Sequence, residues 1–183
     1  MPAKPHITAL PGPLVVHIVS ATVFALLGAF QFPARLRRRR PGWHRRAGRV
    51  LVGAGLLVAI SGLWITVFSV DAPGGGLLWA IRLVVGSATA ACIVLGFTAI
   101  RRRDIPAHRA WMIRAYALAL GAGTQTITEG VGQGIFGTGD LSKALSMGSA
   151  WALNAAVAEW VIRRRPARRA RERRRGPALA GSP

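Results

Sequence analysis

The chain has 183 residues, 51% of them hydrophobic, yet it carries a formal net charge of +19. Its single cysteine, Cys92, excludes an intrachain disulfide framework and a cysteine metal cluster. The basic residues flank long apolar runs instead of lining one face of a soluble domain, which argues against a specific nucleic-acid partner and for an integral membrane protein.

Residues 1–13 hold four prolines and are expected to form an extended lead-in. The first apolar run, 14–34, is about as long as a bilayer-crossing helix. It is not expected to be a cleaved signal peptide, because only Lys4 precedes it and a dense arginine cluster follows Pro33. That cluster, 35–49, contains the turn Pro41-Gly-Trp-His-Arg-Arg-Ala-Gly-Arg49 and leads into a second span at 50–70. Asp71-Ala-Pro-Gly-Gly-Gly76 reads as a tight turn before a third span at 77–100. A second arginine cluster, 101–109, precedes the fourth span at 110–129. The glycine-rich segment 130–142 reads as a loop, and the fifth span follows at 143–162. The last cluster, 163–175, opens a tail over 163–183 that is expected to be basic and disordered.

The three clusters hold 8, 4 and 9 of the 23 arginines. Placed together in the cytoplasm they let five spans alternate, with the N-terminus outside and the C-terminus inside. The intervening loops then carry Lys4, Asp71 and Asp140 but no arginine, as the positive-inside rule requires. The expected architecture is an all-α, five-span bundle in the cell membrane, whose cationic rim attracts anionic lipid headgroups on the cytoplasmic side.

Polar residues within the spans supply the candidate sites. Gly53, Gly55, Gly86 and Gly96 read as close-packing positions between helices. Near the outer face stand His17, Arg82 and Glu129, the last two placed to pair. Near the inner face stand His44, Arg49, His108, Arg114 and Glu159. Arg114 and Glu159 lie at matching depth on spans four and five and are predicted to form an ion pair, with Asn154 adding a hydrogen-bonding group. Arg114, Gly121, Gln125 and Thr128 form a polar stripe on span four, which reads first as a seam between helices and otherwise as a cavity lining.

An offset of 64 residues lays Arg37–Arg39 onto Arg101–Arg103 and His44-Arg45 onto His108-Arg109, suggesting a parallel internal repeat. Imidazoles from facing helices are typical axial ligands of a b-type haem, so His44 and His108 form a candidate cofactor pair in an electron-transfer subunit. Arg45, Arg49, Arg109 and Arg114 form a candidate headgroup cradle for an anionic lipid, bound or chemically altered. No nucleophile–base motif and no phosphate-binding glycine loop occurs, which weighs against an enzyme. A binding or transporter-like module therefore leads, although the spans show no paired helix breaks.

The turn Pro41–Arg49, the segment Arg103-Asp-Ile-Pro-Ala-His-Arg-Ala-Trp-Met-Ile-Arg-Ala-Tyr116 and the segment Ala150-Trp-Ala-Leu-Asn-Ala-Ala-Val-Ala-Glu159 resemble bacterial predicted membrane proteins grouped as domain of unknown function 2306. The resemblance covers about 13–162, and His17 and Gln31 also fit its first helix. It points to His44, Arg45, Arg49, His108, Arg109, Trp111, Arg114, Asn154 and Glu159, and implies no reaction. Where the family tends to carry a further arginine late in span four, this chain has Thr124-Gln-Thr126.

Overall fold

The computed structural model describes residues 11–68 and 74–175. All regular structure among them is helical: α1 Pro11–Ala29, α2 Ala34–Arg39, α3 Pro41–Phe68, α4 Gly75–Arg101, α5 Ile105–Ala119, α6 Gly121–Phe136 and α7 Asp140–Arg175. Three helical stretches are long and apolar enough to cross a membrane: Gly12–Ala29, Pro41–Phe68 and Gly75–Arg101. Large apolar side chains such as Leu26, Ile60, Val84, Ile127 and Val157 point outward. In a protein bounded by lipid, that inside-out distribution costs nothing, while helices satisfy the backbone within each segment.

Packing follows chain order. Helix α1 lies against α3, α3 against α4, α4 against α5 and α6 against α7, while α7 also touches α4 and α5. Phe24, Leu51 and Ala54 form one core cluster, with Tyr116 and Leu27 packed onto it. Cys92, Ile93 and Ala115 form a second, flanked by Trp111 and Leu118. Close approach depends on missing side chains: a Cβ at Gly55 would meet Phe24 and Ile93, one at Gly86 Leu63, and one at Gly96 Met112. Gly53, expected to behave likewise, faces open space.

The connections shape the arginine-rich end of the bundle. Helix α1 stops at Ala29, earlier than the run 14–34 suggests, and Pro33 then precedes the arginine-rich α2. Pro41 opens α3, a position where its missing N–H is no loss. Between α4 and α5 the chain reverses in a few residues. The Asp104 N–H reaches the Ala99 carbonyl and the Arg103 N–H reaches the Ile100 carbonyl, a Schellman closure of α4. Arg103 occupies the left-handed position at φ 62° where glycine is usual. Asp104 at once caps α5 by accepting from the Ala107 N–H. Replacing Arg103 with glycine is expected to stabilise the protein by up to about 1 kcal/mol, read as a higher melting temperature in detergent.

The fourth apolar run is not one helix. It extends over 105–136 and is interrupted at Leu120, so that α5 and α6 are separate segments. The Ala117 carbonyl, at the interruption, accepts from Asn154 Nδ2 on α7, and Asn154 Oδ1 accepts from the Thr124 hydroxyl. A polar α7 side chain thus bridges the two sides of the break. The segment 130–142, read from sequence as a loop, is mostly helix: α6 runs through Phe136, and Gly132 lies against Ser146 of α7. Contact with α7 outweighs the low helix propensity of its glycines. Helix α7 runs beyond Ile162 to Arg175, into the segment expected to be disordered. Part of the turn at 71–76 lies outside the described residues.

Candidate functional site

A cavity of about 550 Å³ opens among the arginine-rich ends of α1, α3, α4 and α5, beside α2. Phe24 and Gly28 enter it from α1, Leu51 and Val52 from α3, Ile93 and Phe97 from α4, and Met112, Ile113 and Tyr116 from α5. These residues make an apolar body. Tyr116 is held in place because its hydroxyl donates to the Ala25 carbonyl at 2.8 Å and its ring packs on Phe24 and Phe32.

The polar part is strongly one-sided. Arg37, Arg45, Arg49 and Arg109 line the cavity together with Gln31, His44 and His108, and no carboxylate does so among the described residues. The two His-Arg pairs that the 64-residue offset superposes therefore reach the same space. Their turns differ in form, since the first contains α2 and the second is the short reversal at Arg103.

The histidines are presented differently. His108 lies one turn into α5, where its Nδ1–H donates to the Gly96 carbonyl at 2.8 Å. In the neutral ring the unshared pair then sits on Nε2. His44, in the first turns of α3, has Arg37 and His108 within electrostatic reach. Among the described residues its Nδ1 and the Gln31 Nε2 are buried without a hydrogen-bond partner, and both belong to residues that line this cavity. Buried polar atoms are rarely left so.

The other sequence candidates lie elsewhere and are satisfied by neighbouring helices. Arg114 and Glu159 form the expected α5–α7 pair, Nε to Oε1 at 2.5 Å and Nη2 to Oε2 at 3.2 Å. The Arg114 guanidinium also stacks on Trp111, 4.7 Å from the ring centroid. Gln125 donates to the Met147 carbonyl, and Gly121 lies against Trp151. The polar stripe is thus a seam with α7. His17 donates from Nδ1 to the Val58 carbonyl and the Ser61 hydroxyl oxygen, locking α1 to α3 away from the cavity. Toward the other end of the bundle Glu129 pairs with Lys143 at 3.3 Å, and Arg82, expected to be its partner, only feels its charge.

The cavity therefore gathers His44, Arg45, Arg49, His108 and Arg109 from the sequence candidates. It leaves out His17, Trp111, Arg114, Gln125, Asn154 and Glu159. It adds Arg37 and Tyr116 and gives Gln31 a place. The signal for Arg37 was its membership of the repeated arginine turn; Tyr116 carried none, since an aromatic residue late in an apolar run reads as core.

No curated protein and no solved structure shows a significant match to the chain. The family described as "Predicted membrane protein (DUF2306)" matches residues 14–162, which include every residue lining the cavity. With that match spanning most of its length, the chain belongs to the DUF2306 family of predicted membrane proteins.

Proposed function

We propose that this protein spans the cell membrane five times, N-terminus outside and C-terminus in the cytoplasm, and that its inner cavity is a non-enzymatic binding site for an amphiphile with an anionic head. Helices α1, α3 and α4 supply three spans. Together α5 and α6 offer roughly 45 Å of helix, more than the ~30 Å hydrocarbon core requires, and α7 supplies the fifth. The orientation rests on the positive-inside rule, and it puts the cavity at the level of the cytoplasmic headgroups.

The observation that carries the binding reading is the lining itself: among the described residues, four arginines and no carboxylate above an apolar, aromatic body. Arginine forks match phosphate and carboxylate oxygens, while the apolar wall takes the rest of the molecule out of water. Among the described residues the lining holds no serine, threonine, cysteine, lysine or carboxylate, which favours holding a ligand over transforming it. Transport is less well supported, because only one span is interrupted among the described residues.

The test is a thermal-shift titration of detergent-solubilised protein with phosphatidylglycerol or cardiolipin, against phosphatidylcholine. The anionic lipids are expected to raise the midpoint. The double change Arg45→Gln and Arg49→Gln is expected to weaken that effect by about tenfold or more, since each charge-assisted hydrogen bond contributes roughly 1.5–3 kcal/mol. Equal responses to charged and zwitterionic lipid, or an unchanged response in the variant, would remove the reading.

A further inference from the structure

We infer that the molecule this cavity is built to hold is an iron porphyrin of the b type, ligated by His44 and His108. The inference rests on the amphiphile reading above and names its ligand class. A phospholipid accounts for the arginines and the apolar wall but leaves two imidazoles without a role. A porphyrin uses every part of the lining. Its flat apolar ring suits a wall of Phe24, Leu51, Ile93, Phe97 and Met112, and its carboxylates suit the arginines and the orphaned Gln31 donor.

The second shell of one histidine is already in place. Metal-binding imidazoles characteristically donate their other N–H to a carbonyl or carboxylate, which fixes the tautomer and aims the free nitrogen. His108 does this through Gly96, leaving Nε2 to face a ligand. His44 enters the same cavity from α3 and keeps a buried ring nitrogen with no partner. Neutral nitrogen donors from two helices of a bundle are a suitable axial pair for haem iron. Gly48, one turn beyond His44 on the same helix, lines the cavity, and a Cβ there would meet nothing within 4 Å. The absence of a side chain at that point keeps space open beside the His44 ring.

Purified, detergent-solubilised protein titrated with haemin is expected to develop a saturable Soret band that shifts on reduction with dithionite. His44→Ala and His108→Ala should each remove the six-coordinate, low-spin form and weaken haemin binding by at least about 10–100-fold, the loss seen when only a second-shell partner of a metal is removed. His108→Met should retain haem while changing its spectrum and raising its potential, an effect no packing role produces. Gly48→Leu leaves both histidines in the chain and adds a helix-favouring side chain in open space, so it should exclude haemin at unchanged or higher melting temperature. Absence of a saturable band, or identical spectra in wild type and both alanine variants, would overturn the assignment. If haemin then fails while anionic lipid still binds through Arg45 and Arg49, the porphyrin falls and the amphiphile site stands; if neither binds, both fall.

Discussion

Replacing Glu159 with alanine is expected to lower the unfolding free energy of the detergent-solubilised protein by about 1–3 kcal/mol. The change strands the Arg114 guanidinium, which loses both of its hydrogen bonds to the carboxylate while its helix remains in the bundle. The Glu159 side chain is 36% exposed, so the effect lies below that of breaking a fully buried pair. Reversible denaturation of Arg114→Leu, of Glu159→Leu and of the double variant carrying both completes a cycle. The double change should cost less than the sum of the singles, because it removes both charges together and offers packing in exchange. Strict additivity would show that the pair does not couple α5 to α7.

Gly121→Leu should destabilise by a similar amount, about 1–3 kcal/mol, through a different cause. Any Cβ at Gly121 overlaps the Trp151 indole, which lies directly against the backbone just after the interruption between α5 and α6. The indole cannot yield freely, because it belongs to α7 and the adjoining turn of α7 carries Asn154, bonded to both sides of the break. Gly121→Ala tests the same contact with the smallest possible side chain. Combined with Trp151→Ala, it should cost less than it does alone, since the overlap disappears with the ring. The measurement is again the denaturation midpoint of single and double variants. A Gly121→Ala protein as stable as wild type would show that the α6–α7 contact is loose.

Both predictions lie on one interface, and the sequence revealed its two halves unequally. The Arg114–Glu159 pair was legible because membrane depth is a one-dimensional coordinate. Counting residues from each span boundary places both charges in the same layer, where an unpaired charge is costly. The Glu129 partner was read less well by the same reasoning. Arg82 matched its depth, but Lys143 reached it first from the start of α7. Depth says which charges can meet, while the neighbour relations of helices decide which do.

The helix ends followed the same division. Span positions came from hydropathy, and the first three apolar runs match helices in the structure to within a few residues at one end or the other, whereas the fourth divides into two helices. The glycines of 130–136 misled, because glycine's low propensity in water carries less weight where small residues allow α6 and α7 to touch. The interruption at Leu120 had no proline to announce it and is bridged by a side chain from another helix.

What the sequence determined by itself is a membrane protein with apolar helices, its basic turns gathered toward one face, and the Arg114–Glu159 tie. These follow from composition and linear spacing, because lipid demands long apolar helices and depth is counted along the chain. What only the tertiary structure decided is which polar residues share a space. His44, His108 and Arg37 from three helices and Gln31 from the turn after α1 converge around one cavity, whereas His17, equally polar and equally noticeable in the sequence, is spent on joining α1 to α3. Convergence depends on helix rotation and lateral order, which are set by close contacts such as Gly55 on Phe24 and Gly96 on Met112. Those contacts are sums of many small packing terms between distant residues, and a linear pattern does not encode them locally.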